Sequence, residues 1–196
     1  RELMLSRLSI KQKLNLIMLV PLVVIVLLAV KLTLDSYGIS KNLNSLDKVV
    51  VLSTKIGALV HESQVERGMT SSFIETKGEQ FKTELPSQRL NVDEKLKEFN
   101  TFLSSFDKTG YSLEFTQNLD SAIKKLEELG SIRSGVNSFS IKGFIAIEYY
   151  TELNKLLLNV IGSITKLSNN AEITENLVSY MSFLLVKERT GIERAI

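Results

Sequence analysis

Hydrophobic and polar residues follow two different patterns along this chain. An apolar run is unbroken over residues 16–30 and extends, with few polar interruptions, over residues 14–34. After this run, apolar residues recur every three or four positions, which predicts amphipathic α-helices. The strict alternation that is typical of strands is nowhere sustained. We therefore predict an all-α protein, in which an antiparallel helical bundle outside the membrane follows one N-terminal transmembrane helix.

The N-terminal apolar run has the length of a membrane span. Its residues, 14–34, rise about 1.5 Å each in a helix and so cover roughly the ~30 Å hydrocarbon layer. A cleaved signal peptide is the alternative, but the run is long for one and no small-residue cleavage site follows it cleanly. Basic residues precede the run, so we expect residues 1–13 to be cytoplasmic and residues 35–196 to lie outside the cytoplasm.

Five helices are predicted after the span, each with one apolar stripe that faces the core. Gly78 is expected to end the first helix, and the turn-like D-K-T-G at 107–110 introduces the third. The predicted helices cover approximately residues 40–76, 79–106 or 86–106, 113–136, 141–167 and 171–196.

Three arginines occupy positions in these stripes where an apolar residue is expected. Arg67 lies seven residues after Val60 and seven before Ile74, on the inner face of the first helix. Arg89 and Arg133 replace apolar residues in the stripes of the second and third helices. A guanidinium keeps its charge and is costly to bury alone, so each position implies an anionic partner.

The partner is either a bound ligand or a carboxylate of the protein. Several converging guanidiniums would hold a small planar oxyanion by charge-assisted hydrogen bonds. Alternatively, each arginine pairs inside the bundle with a glutamate such as Glu66, Glu188 or Glu193. The periodicity leaves both interpretations open.

Composition removes most kinds of chemistry. The chain has no cysteine, and its only histidine, His61, lies on the polar side of the first helix. No nucleophile, metal cluster or phosphate-binding loop is evident, so we predict no catalytic residue, no metal, no cofactor and no enzymatic activity. The formal net charge of +2 is too small, and the basic residues are too scattered, to predict a nucleic-acid partner.

The chain contains four motifs in order, E-R-G at 66–68, Q-R at 88–89, S-I-R at 131–133 and E-R-A at 193–195. Together they resemble one known family, the nitrate- and nitrite-sensing (NIT) domain. Its pattern is similar to Q-x-E-R-G-x-S, Q-R-x-x-T-D, a helix closing on an arginine, and K-E-x-x-G-x-E-R-A. The second motif departs from this pattern, because it has V-D in place of T-D. The family pattern also continues past E-R-A, so we expect the domain to extend beyond residue 196. The matching segments are Q-V-E-R-G-M-T-S-S-F-I at 64–74, Q-R-L-N-V-D at 88–93, S-I-R-S-G-V at 131–136 and K-E-R-T-G-I-E-R-A at 187–195.

The resemblance implies an all-helical sensor that binds nitrate or nitrite through arginines and passes the signal to an attached output, such as a methyl-accepting chemotaxis domain. In this setting the chain would be anchored in a bacterial inner membrane, with its sensor region periplasmic and, by analogy with such receptors, homodimeric. The ligand residues implied are Arg67, Arg89, Arg133 and Arg194, and Ser71, one turn beyond Arg67, could add a hydroxyl donor.

Three hypotheses follow. In the first, nitrate or nitrite neutralises converging guanidiniums and shifts the helices from one packing to another. In the second, the receptor binds a small carboxylate instead, which would need a larger cavity with an additional wall. In the third, the bundle is structural or binds a partner, and its arginines are paired internally. The first two require a gap between arginines, whereas the third requires a glutamate at salt-bridge distance from Arg67 and from Arg133.

Overall fold

The described part of the chain, residues 9–165 and 171–193 of the computed structural model, is entirely helical in its regular structure. No strand occurs within these two ranges, as predicted. Six helices are described: α1 (Ile10–Glu75), α2 (Glu84–Ser104), α3 (Leu113–Glu127), α4 (Leu129–Asn137), α5 (Gly143–Thr165) and α6 (Ala171–Glu193).

The chain divides into two compact units, Arg1–Leu46 and Asp47–Ile196. In the first unit, the described side chains of the apolar run are exposed, among them Leu22 and Leu28. No helix in the described residues is long and apolar enough to cross a membrane, so the span predicted at 14–34 is not confirmed. That prediction depended on run length, and an apolar run does not by itself establish a membrane span.

The second unit is a helical bundle with an apolar core. Helix α5 packs against α3, α4 and α6, which explains why α5 is buried on more than one side. All six stripe positions predicted for the third helix are buried, which confirms its orientation. These positions are Phe115, Leu119, Ala122, Leu126, Leu129 and Val136.

Two details of the bundle differ from the prediction. The predicted third helix is two helices, because the chain tightens at Glu128, whose N–H bonds to the carbonyl of Lys125 three residues earlier. Ile145, predicted to face the core, is 39% exposed. A single stripe was assumed for α5, whereas Tyr149 and Tyr150 are both buried.

The first helix ends as its glycine predicts. Gly78 has φ +86°, and its N–H donates to the carbonyl of Phe73 at 2.8 Å, which closes the last turn. The predicted turn at 107–110 is also present. There Asp107 accepts from the N–H and the hydroxyl of Thr109, and Gly110 has φ +88°.

The surface carboxylate of Glu98 joins α1 to α2 and makes the stability of the fold depend on pH. Glu98 accepts from Lys55 at 2.8 Å and from Lys95 at 2.7 Å, and these bonds lower its pKa to about 2. A depressed pKa stabilises the fold above the unfolded value near 4.5 and ceases to do so as the pH falls through 2. Thermal unfolding between pH 5 and pH 2 tests this dependence. We expect the melting temperature of the unmodified chain to fall further over this range than that of the Glu98→Gln variant. Parallel losses in the two proteins would show that these pairs do not persist in solution.

Candidate functional site

Arg67 is one of the most deeply buried side chains of the bundle. Its exposure is 1%, and it lies on the inner face of α1, as its spacing from Val60 and Ile74 predicts. Its Nη1 donates to Glu188 Oε1 at 2.5 Å and to the hydroxyl of Thr151 at 3.0 Å, while Nη2 lies 3.4 Å from Glu188 Oε2. The guanidinium of α1 therefore faces a carboxylate of α6.

Two amides complete the surroundings of this carboxylate. Gln64 Nε2 donates to Glu188 Oε2 at 2.7 Å, and Asn154 Nδ2 donates to the same oxygen at 3.3 Å. The Nε of Arg67 and the amide oxygens of Gln64 and Asn154 are buried and have no hydrogen-bond partner in the described part of the chain. We call these five residues, Gln64, Arg67, Thr151, Asn154 and Glu188, the Arg67 cluster.

A second buried cluster surrounds Glu66, the residue before Arg67. Arg133 from α4 binds it through two bonds, Nε to Oε1 at 2.7 Å and Nη2 to Oε2 at 2.8 Å. The Nε of Arg89 lies 3.4 Å from Oε1, and the hydroxyl of Tyr150 donates to the same oxygen at 2.7 Å. Arg133 also donates to the exposed Asp93 at 2.5 Å. We call Glu66, Arg89, Asp93, Arg133 and Tyr150 the Glu66 cluster.

Two members of the Glu66 cluster, Arg133 and Tyr150, have pKa values raised above their usual range. Burial opposes the charge of Arg133, but its bonds and attraction to Glu66 and Asp93 outweigh this and raise its pKa. Burial, together with the adjacent Glu66 charge, raises the pKa of Tyr150. Tyr150 therefore remains a hydroxyl donor to Glu66 throughout the physiological range.

The structure thus separates the predicted arginines. Arg89 and Arg133 meet at Glu66, whereas Arg67 points to Glu188, because residues 66 and 67 lie about 100° apart around one helix. Arg67 and Arg133 each face a glutamate at salt-bridge distance, which is the arrangement of the internally paired hypothesis. Arg194 lies outside the described residues.

Ser71 lies on a cleft that reaches the Arg67 cluster. The cleft has a volume of about 970 Å³ and also contains Thr151, which contacts the Arg67 guanidinium. Its remaining walls include Ile74 and Ile147. Among the described residues no group of histidine or carboxylate side chains is placed to hold a metal ion.

Sequence reasoning assigned no role to five polar residues of these clusters: Gln64, Asp93, Tyr150, Thr151 and Asn154. Asn154 had a usable signal, since it stands between Leu153 and the apolar run at 156–158 on a helix that is apolar on several sides. A polar side chain in such a position is expected to have a specific partner. Gln64 and Asp93 stand in two of the family motifs, whereas Tyr150 and Thr151 had no comparable signal.

Comparison with known proteins gives consistent results. The family described as nitrate and nitrite sensing matches residues 58–196. The nitrate regulatory protein of Klebsiella oxytoca is 26% identical over 156 residues, which are 80% of this chain and 39% of that protein. The solved structure of the NasR transcription antiterminator aligns with a TM-score of 0.76 at 26% identity, covering 80% of this chain and 42% of that one. The chain spans about two fifths of the length of these relatives.

These comparisons correct one prediction and confirm another. The predicted inner-membrane location, with an extracytoplasmic sensor, is wrong: these relatives are a regulatory protein and an antiterminator, and the described residues form no membrane-crossing helix. The family indicated by the motifs at 64–74, 88–93, 131–136 and 187–195 is confirmed, since its match covers most of the chain and includes both clusters. The chain belongs to the nitrate and nitrite sensing family.

Proposed function

We propose that this chain is a sensor region that binds nitrate or nitrite at Arg67 and responds by repacking its helices. The observation that supports it is the state of the Arg67 guanidinium. It is almost fully buried, its Nε has no partner within the described residues, and its Nη atoms face a planar carboxylate from another helix. A planar oxyanion presents its oxygen atoms to the same fork. The proposed role is binding, without catalysis.

The other arginines are proposed to have different roles. Arg89 and Arg133 already share the carboxylate of Glu66, so we assign them to the framework that holds α1, α2 and α4 together. Arg194, which matches the terminal arginine of the family pattern, remains a predicted ligand residue. Ser71 lines the cleft through which a small anion would reach Thr151 and Arg67.

The signal would be a shift between two helix packings. An anion can shift an equilibrium only by its difference in affinity for the two states. Here the difference would arise at the contact between α1 and α6, since that contact is made by the charges with which an anion interacts. The cluster thus links occupancy of a buried site to the position of a helix.

The relatives support a regulatory setting. Because one is a nitrate regulatory protein and another an antiterminator, we propose that this chain is the sensing part of a regulator and not of a chemotaxis receptor. We predicted no nucleic-acid partner, and a relative that is a transcription antiterminator does not support this prediction. The expected homodimer is supported by neither relative.

A small carboxylate is the second candidate ligand. The cleft beside Thr151 supplies the larger cavity that such a ligand requires, with Ile74 and Ile147 as apolar walls. However, Glu75 and Glu148 also line it, and their charge opposes an anion that stays in the cleft, whereas nitrate or nitrite would pass through it and be held at Arg67. Nitrate and nitrite are therefore favoured, and acetate is included in the test.

We expect nitrate or nitrite to stabilise the chain selectively. Thermal unfolding is measured in sodium nitrate, nitrite, acetate, chloride and sulfate at matched ionic strength. A ligand that binds only the folded state adds about 2.7 kcal/mol at a hundredfold excess over its Kd. A rise specific to acetate would instead indicate the carboxylate ligand.

A variant that removes both charges of the pair tests the site. Replacing a buried ion pair by apolar residues is often neutral or stabilising, so Arg67→Met with Glu188→Met should fold and lose the nitrate-specific rise. Arg189→Met, which removes an exposed arginine from α6, should keep it. Equal stabilisation by all five salts would favour the internally paired structural bundle. A nitrate-specific rise that survives the double substitution would place the anion site elsewhere than at Arg67.

A further inference from the structure

The carboxylate at the Arg67 fork is supplied by the protein itself. We infer that Glu188 is an internal competitor of the ligand: it takes, in the free protein, the place at Arg67 that the anion takes in the bound protein. Binding would then release α6 from α1. This inference rests on the proposed function and concerns the regulation of the same site.

The charges of the cluster require this competition. In the Arg67 cluster one guanidinium faces one carboxylate, so the pair is neutral before any ligand enters. A second anion beside Glu188 would place two negative charges within a few ångströms in a buried site, which is strongly unfavourable. An anion that reaches Arg67 must therefore displace the carboxylate.

The helix that carries each donor or acceptor of the Arg67 cluster determines which helix moves when an anion binds. The donors of the cluster all come from α1 and α5: the guanidinium of Arg67 and the amides of Gln64 and Asn154. The carboxylate comes from α6, and the other acceptor of the guanidinium, the hydroxyl of Thr151, comes from α5. When Glu188 leaves, all three donors remain in position for an incoming oxyanion, and the unpartnered Nε of Arg67 becomes a further donor. Displacement therefore loosens α6 and leaves the rest of the site intact.

The Glu188 contact lies in a part of α6 that packs closely against α1. One turn of helix away, Gly191 lies so near Arg67 that a Cβ there would stand 2.8 Å from Nη2. Beside Glu188, Lys187 contacts Nδ1 of His61 on α1. Loss of the charge pair would thus act at a close contact between α6 and α1, and so it would be transmitted along α6.

The inference predicts that removal of the Glu188 charge strengthens anion binding. Glu188→Gln keeps the size of the side chain but no longer neutralises Arg67. If the free protein holds Glu188 at Arg67 for about nine tenths of the time, removing the competitor lowers the apparent Kd for nitrate about tenfold. Nitrate titrations of both proteins, followed by calorimetry, give the two values. Glu175→Gln, which removes the same charge from an exposed position of α6, should leave the Kd unchanged.

A second readout covers a variant that unfolds without anion. Glu188→Gln leaves Arg67 without its counter-charge, so its stability in chloride should fall, and nitrate should restore the helical circular dichroism signal. The competitor role would be overturned if Glu188→Gln bound nitrate no more tightly than the unmodified chain and nitrate did not restore its helical signal. If the unmodified chain still bound nitrate, the proposed function would stand. Absence of nitrate binding in both proteins would overturn both. A tenfold gain that also appears in Glu175→Gln would reduce the effect to net charge and overturn the inference.

Discussion

Replacing Glu66 by alanine is expected to lower the free energy of unfolding by about 3–5 kcal/mol. Glu66 is fully buried and is the carboxylate that Arg89 and Arg133 share. Without it, Arg133 retains Asp93, which is half exposed, and Tyr150 loses the acceptor of its buried hydroxyl. The large expected cost comes from leaving two guanidiniums without their buried counter-charge.

Chemical denaturation with urea measures this loss, and two variants isolate its cause. Glu75→Ala, at an exposed position of the same helix, should change stability by less than about 0.5 kcal/mol. Glu66→Gln keeps an oxygen for Tyr150 but removes the charge, so its free energy of unfolding should remain well below that of the unmodified chain. A loss of under 1 kcal/mol in Glu66→Ala would mean that water solvates both guanidiniums or that a rearranged Asp93 neutralises them.

The sequence correctly predicted which way the charged residues face. Helical spacing placed Arg67 and Glu188 on the inner faces of their helices, and both are buried. Such spacing works because an α-helix repeats every 3.6 residues regardless of its neighbours. Gly78 was equally predictable, since a local rule governs helix ends.

The pairing of these residues was not predictable. In one of the two interpretations several arginines would share one interior point, but Glu66 and Arg67 are adjacent and face different helices. Which helix meets each face depends on the order and rotation of α2, α4 and α6, and periodicity contains no information on either. The sequence named Glu66 and Glu188 as possible partners but could not assign them.

The adjacency of Glu66 and Arg67 has a mechanical consequence. Glu66 ties α1 to α2, α4 and α5, and Arg67 ties the same turn of α1 to α6. A rigid Glu66 cluster fixes the rotation of this turn, so the Arg67 guanidinium keeps its direction whether Glu188 or an anion occupies it. The Glu66 cluster is therefore a fixed framework, and the Arg67 cluster contains a contact that can be exchanged.

Gly191→Leu is expected to cost about 2–4 kcal/mol and to abolish the nitrate-specific rise. Leucine favours a helix by up to about 1 kcal/mol over glycine, so the backbone alone would gain. The added side chain, however, begins 2.8 Å from Nη2 of Arg67 and must displace that buried guanidinium from Glu188. Overpacking and a broken buried pair together exceed the gain.

Gly68→Leu is the matched control, because each glycine lies in a helix within four residues of a buried charge, Arg67 or Glu188, and sequence alone treats them alike. A Cβ at Gly68 would meet nothing within 4 Å, and the position is exposed. We expect Gly68→Leu to be neutral or slightly stabilising in urea denaturation, with its nitrate response intact. Equal behaviour of the two variants would show that α6 does not hold Gly191 against Arg67 in solution, and the close approach of α1 and α6 would then have to be abandoned.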